Sequence, residues 1–166
     1  MKRRLLLKSL PLLTLLPAGL RASASSVGIQ ALPHAPEYWR DQVSPKAWKI
    51  LFEEATEPAG SSALNDEHRE GTFVCAACYL PLFDSSAKYE SGTGWPSFTQ
   101  PIEGHLGTKR DFKLIWPRTE YHCARCGGHQ GHVFNDGPPP RGERWCNNGL
   151  ALQFIPRTEP LPALRG

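Results

Sequence analysis

Tyr121-His122-Cys123-Ala124-Arg125-Cys126-Gly127-Gly128-His129-Gln130-Gly131-His132-Val133-Phe134 holds two short runs with strand character, Tyr121 to Cys123 and His132 to Phe134, separated by a C-x-x-C turn and glycines. A C-x-x-C turn lets two thiolates converge on one ion. A second, identical pair stands upstream as Cys75-Ala76-Ala77-Cys78, and two such turns complete a tetrahedral four-sulfur site that suits zinc. The interval between the pairs is longer than in a compact ribbon, so the metal would staple two hairpins from distant parts of the chain. Two other readings stand beside this one: oxidation of each pair to a disulfide, and a redox centre in one pair. A redox motif does not need a second copy, and disulfide frameworks usually show more varied spacings.

Outward from this stretch, the same short apolar runs recur between Gly and Pro: Thr72-Phe73-Val74, Phe112 to Trp116, Trp145-Cys146 and Leu150 to Ile155. With Gly 15 and Pro 16 in 166 residues, the chain reads as one loop-rich, mainly β domain. A compact antiparallel sheet or barrel is the expected architecture. One helix is predicted from Pro45 to Ala55, because Ser44 can cap it, Pro45 suits the first helical position, and Trp48, Leu51, Phe52 and Ala55 recur at helical spacing. Pro138-Pro139-Pro140 reads as a stiff loop.

The formal net charge is +3, yet Lys2, Arg3, Arg4, Lys8 and Arg21 all precede Ser25, where no acidic residue stands. Without those five the charge becomes −2, which removes the footprint of a nucleic-acid binder. Residues 1–24 read as a cleavable signal peptide: a basic start, the apolar run Leu5 to Leu20, and Ala22-Ser23-Ala24 as the cleavage site. The run, interrupted by Lys8, Pro11 and Pro17, falls short of the roughly 20 residues of a retained membrane helix. Arg3-Arg4 followed by Leu5-Leu6-Leu7-Lys8 is similar to a twin-arginine signal, and an ordinary Sec signal is the alternative. The expectation is export, to the periplasm, with residues 25–37 a flexible lead-in, 38–157 the catalytic domain and 158–166 a loose tail.

The fifth cysteine, Cys146, has no partner left among the pairs. Strand alternation puts Arg144, Cys146 and Asn148 on one face and Trp145 and Asn147 on the other. A cation and an amide donor beside a thiol lower its pKa and orient it, which points to a nucleophile; a buried bystander is the other reading.

Three separated blocks carry a resemblance. Ser91-Gly92-Thr93-Gly94-Trp95-Pro96-Ser97-Phe98, Cys126 through Gly137, and Arg144-Trp145-Cys146-Asn147-Asn148 resemble the signature blocks of the peptide methionine sulfoxide reductase B family, in that family's order, with the likeness running from about Tyr38 to Ile155. The C-x-x-C pairs lie where its zinc-containing members carry them. The resemblance implies two antiparallel sheets with short peripheral helices, and reduction of the R epimer of methionine sulfoxide in peptides and proteins, a repair of oxidative damage. It implies Cys146 as the residue attacking the sulfoxide sulfur and passing through a sulfenic acid, with His132 and His129 donating to the oxygen and holding the substrate. It makes Asn148 the residue orienting substrate or histidine, Trp95 the wall for the substrate methyl, and Arg144 with Asp136 the pair organising the site. It assigns a structural zinc ion to Cys75, Cys78, Cys123 and Cys126.

The sequence departs from the family pattern at Thr93, where many relatives place a resolving cysteine, and at Trp145 and Asn147, where tyrosine and an aliphatic are usual. With Thr93 in place, an external reductant is expected, either a thioredoxin-like protein or a small thiol. Further expectations are a monomer with no nucleic-acid partner and no membrane association after cleavage. Two other functions compete: a zinc-stapled binding module without turnover, and a cysteine–histidine hydrolase that needs no electron donor.

Overall fold

The computed structural model describes residues 28–113 and 117–166; the expected signal segment lies outside them, as do Leu114, Ile115 and Trp116. Among the described residues nine strands follow one another: β1 (Gly71–Cys75), β2 (Pro81–Asp84), β3 (Lys88–Tyr89), β4 (Ser97–Phe98), β5 (Leu106–Asp111), β6 (Arg118–Cys123), β7 (His129–Phe134), β8 (Arg144–Asn147) and β9 (Leu152–Pro156). All pairings are antiparallel and make two sheets, β2-β1-β9 and β3-β4-β8-β7-β6-β5. Among the described residues neither sheet closes, so the barrel expectation gives way to two open sheets packed face to face. The larger one ends on β3, only two residues long, and on β5, whose Thr108, Lys109 and Arg110 are exposed. A charged edge resists further pairing.

The core lies between the sheets and is largely aromatic. Phe83 of β2 stacks on Phe98 of β4 at 4.1 Å, Phe73 of β1 meets Phe98 edge-on at 5.0 Å, and Tyr121 of β6 meets Trp145 of β8 at 5.0 Å. Phe73, Phe83, Phe98 and Tyr121 have no exposed surface, and each full burial of such a side chain contributes about 1.5–3 kcal/mol. The short strands therefore hold together through side chains more than through ladder length.

Helix α1 spans Pro45–Glu53, two residues shorter than its pattern predicted. Ser44 Oγ accepts from Ala47 N at 3.2 Å, and Ala47, Trp48, Ile50 and Leu51 form the buried face. Glu54 at φ 53° ends it in the left-handed region. Of the strand expected from Phe112 to Trp116, Leu114 to Trp116 lie outside the described residues; β5 ends at Asp111, and Phe112 beyond it is 74% exposed. β5, which the sequence pattern did not mark, pairs with β6 with Leu106 to Asp111 aligned residue for residue with Cys123 to Arg118.

The described parts of the two end segments run against the body. Leu32 N donates to Arg125 O at 2.7 Å, and Arg165 N donates to Cys78 O at 3.1 Å. The Arg165 guanidinium lies 3.8 Å from the Tyr79 ring centroid and donates to Gln42 O. Within the expected tail, Arg165 thus contacts the body through both backbone and side chain.

Candidate active site

Cys146 stands in β8 between β4 and β7, paired directly with Ser97 on one side and His132 on the other. Directly opposed residues of an antiparallel pair have Cβ atoms about 4.5–5.5 Å apart and share a face. The register alone therefore brings the expected nucleophile and the expected acid together. Gly131, next to His132, is required at this contact, because a Cβ there would collide with the Cys146 carbonyl oxygen.

Cys146, His132, Trp95, Asn148, Phe134 and Arg118 line a cleft of about 110 Å³. Trp95 Nε1 donates to Glu57 O at 3.1 Å, which fixes the indole as one wall. Its loop comes close because Gly94, at φ 90°, takes a conformation few other residues adopt, and a Cβ there would press on Gly60 N at 2.9 Å. Asn148 lies past the end of β8; its Oδ1 accepts from Glu57 N at 3.1 Å and its Nδ2 donates to Gln130 O at 3.0 Å. Glu57 is buried, and its carboxylate accepts from Gly149 N at 2.5 Å and Leu150 N at 3.0 Å. Glu57 thus braces both segments, Trp95 through its backbone carbonyl and the chain at Asn148 to Leu150 through its backbone N–H and its carboxylate.

Burial pushes the Cys146 thiol up from its ordinary range, and the opposing pull of Arg144 and Thr93 does not overcome it. This corrects the expectation that neighbouring cations lower it: desolvation wins. Burial likewise pushes His132 down; the Asp111 carboxylate counters in part, while Arg118 and His129 add to the fall. At neutral pH the resting site therefore holds a thiol and a neutral imidazole.

His129 does not line this cleft. It is 2% exposed, its Nδ1 lies 2.7 Å from Glu120 Oε1, and its ring stands 5.4 Å from that of His132. Residues three apart in a regular strand face opposite sides. Here the pairing shifts, since Tyr121 opposes Gly131 while His122 opposes His129, and the extra residue, Gln130, brings both histidines to one side. Burial works against ionisation of Glu120, but hydrogen bonds from His122 and His129 hold its carboxyl at about 2. Arg144 grips Asp136 through Nε at 2.8 Å and Nη2 at 2.9 Å and lies over the Phe134 ring at 4.3 Å. This pair flanks the site.

The four paired cysteines converge across the two knuckles. Their Sγ atoms all lie within 4.8 Å of one another and are buried, with Cys75 to Cys126 at 3.6 Å and Cys78 to Cys123 at 3.5 Å. All are free thiols, so the disulfide reading does not describe this structure. A tetrahedron of sulfurs about 2.3 Å from a central ion has edges close to these separations. The donor set fits a metal ion, and Gln130 Nε2 lies 3.5 Å from Cys75 Sγ as a further donor to sulfur.

Residues 43–156 match the SelR domain model. Peptide methionine sulfoxide reductase MsrB of Bradyrhizobium diazoefficiens is 50% identical over 122 residues, covering 73% of this chain and 88% of that protein. The chain belongs to the MsrB family. Its likeness extends to the MsrB of Leptospira interrogans, 48% identical over 71% of this chain and 91% of that protein. For the MsrB of Thiobacillus denitrificans the figures are 46%, 75% and 96%.

Seen as a member of the MsrB family, the chain brings Cys146, His132, Trp95 and Asn148 to one cleft, keeps Arg144 and Asp136 beside it, and sets His129 behind His132. Sequence reasoning missed Asp111, Arg118, Glu120 and Glu57, each a polar residue in an unremarkable stretch, and gave no role to Gln130 inside the block from Cys126 to Gly137. It also treated Asn147 only as a departure. Asn147 is fully buried, accepts from Tyr121 Oη at 2.8 Å and donates to Gln130 Oε1 at 3.3 Å.

Proposed function

We propose that this chain reduces the R epimer of methionine sulfoxide in peptides and proteins, with Cys146 as nucleophile. The observation that carries the reading is the direct cross-strand pairing of Cys146 with His132 at a cleft walled by Trp95 and Phe134. The cleft has room for one side chain, so the sulfoxide enters alone. Trp95 packs against its methyl group, and Cys146 reaches its sulfur. As the oxygen passes from substrate sulfur to enzyme sulfur, the thiol and the sulfoxide become a sulfenic acid and a thioether. His132 carries the proton between Cys146 and that oxygen. Arg144 and Thr93 then stabilise the charge that appears on Cys146 sulfur, while His129, Asn148 and Asp136 hold the participants in place.

Two external thiols return the sulfenic acid to the thiol, forming one disulfide between them and releasing water. No other cysteine serves this step: four crowd the metal site and Thr93 stands at the relatives' resolving position. A thioredoxin-like protein or a small thiol fits this need. Cys75, Cys78, Cys123 and Cys126 would hold zinc, which supplies a cross-link between the knuckles and takes no part in the chemistry. The N-terminal Arg3-Arg4, apolar run and Ala22-Ser23-Ala24 support export with cleavage after Ala24 and a periplasmic site of action. No helix of the described residues is long and apolar enough to cross a membrane.

The test is a steady-state assay on separated R and S epimers with dithiothreitol, run beside Cys146→Ser. Consumption of the R epimer alone, absent in the serine variant, is the expected result. Activity in that variant, or more than one product per chain formed without a thiol, as a hydrolase would form it, overturns the reading.

A further inference from the structure

Nothing in the proposed chemistry says which ring nitrogen of His132 handles the proton, and the hydrogen bonds behind it decide the matter. Asp111 of β5 is 8% exposed, and its carboxylate receives three donors. Lys113 N reaches Oδ1 at 2.9 Å, while Arg118 Nη2 and His132 Nε2 both reach Oδ2 at 2.7 Å. An ionised carboxylate only accepts, and a guanidinium only donates. Nε2 must therefore carry the hydrogen in this contact, which leaves Nδ1 as the nitrogen free to take and return a proton.

We propose that Asp111, kept anionic by Arg118, locks His132 as the Nε2–H tautomer, so that Nδ1 is the nitrogen exchanging the proton with Cys146 and the sulfoxide oxygen. Asp111 and Arg118 are positioning residues in this scheme, acting through the imidazole. The inference rests on the proposed function for its role in turnover, but the tautomer itself is a property of the free protein.

The two residues pull His132 in opposite directions. The backbone N–H of Lys113, with His132 and Arg118, holds the Asp111 carboxyl well below the usual range despite burial. Asp111 favours the imidazolium, and Arg118, on the same oxygen, opposes it. The other groups facing His132 are His129 from its own strand, Glu120 directly opposite on β6, and Cys146 opposite on β8. Glu120 is engaged by His122 and His129, which spends its charge away from His132.

The experiment is nitrogen-15 NMR of the metal-loaded protein with labelled histidine, His132 being assigned by its loss in His132→Gln. Wild type should show His132 as Nε2–H across neutral pH. In Asp111→Asn its pKa should fall by about one pH unit, and in Arg118→Gln rise by about as much, the scale of a single neighbouring charge. The acid limb of kcat/KM should move the same two ways, with kcat/KM of Asp111→Asn at least about tenfold lower. A wild-type Nδ1–H signal overturns the inference, and so do shifts of the same sign in both variants. The wild-type spectrum decides the tautomer even if a variant misfolds. Lack of turnover on the R epimer beside an Nε2–H signal would contradict the proposed function alone.

Discussion

Cys146 can be singled out from the sequence, while its protonation state cannot. Its lack of a partner and its neighbours Arg144 and Asn148 mark a nucleophile, but a sequence does not state how far a strand position is buried. Burial keeps the thiol protonated at rest, so reactivity has to arise when substrate and His132 share the proton. Because burial holds its pKa above that of an ordinary thiol, the thiolate fraction at pH 7 is small and grows only as pH rises through that raised pKa. Alkylation of Cys146 by iodoacetamide should accordingly be slow at pH 7 and still rising at pH 9, and slower again in Arg144→Met. A plateau below pH 8 would contradict this. Asp111 and Arg118 left no trace in the sequence because their meaning depends on which strands meet, and no local pattern marks that.

At the scale of elements, the β7–β8 pairing organises the site, and its parts were unequally readable. The runs around Phe73, Tyr121, Val133 and Trp145 announced β1, β6, β7 and β8 through aromatic and β-branched residues. β5 escaped notice since Thr108, Lys109 and Arg110 are what a charged edge needs and what a loop also carries. The irregularity that places His129 and His132 on one side, next to Gly131, was equally hidden. Adding a methyl there tests the geometry. Gly131→Ala should force β7 from β8, costing on the order of 2 kcal/mol from overpacking and most of the activity, measurable by thermal denaturation and by kcat/KM. A variant with both properties of wild type would mean that the contact of Gly131 with Cys146 does not constrain the site.

Among the described residues, one buried polar chain joins the four-cysteine cluster to β8: Cys75 Sγ to Gln130, Gln130 to Asn147, and Asn147 to Tyr121. Arg125 and Arg165 tie both end segments over the same knuckles. The paired C-x-x-C turns made the staple readable from spacing, but the polar chain was not, because Gln130 is the extra residue of an irregular strand. Metal held there is folding energy. Stripping it with a chelator should lower Tm by more than about 10 °C, the effect of a few kcal/mol on a domain of this size. It should also speed alkylation of Cys146, since β8 loses its anchor through Asn147. Zinc released on chelation, counted against protein, identifies the ion. An unchanged Tm after complete metal removal would show that the knuckles are not a structural staple.

The central claim is that Cys146 takes the sulfoxide oxygen and waits for an outside thiol. Mass spectrometry of reduced enzyme mixed with excess methionine R-sulfoxide and a sulfenic-acid trap, without reductant, tests it directly. The account predicts one adduct per chain, on Cys146, with metal retained and one methionine released. A disulfide between Cys146 and a knuckle cysteine with metal lost, or methionine released with Cys146 unmodified, would contradict it.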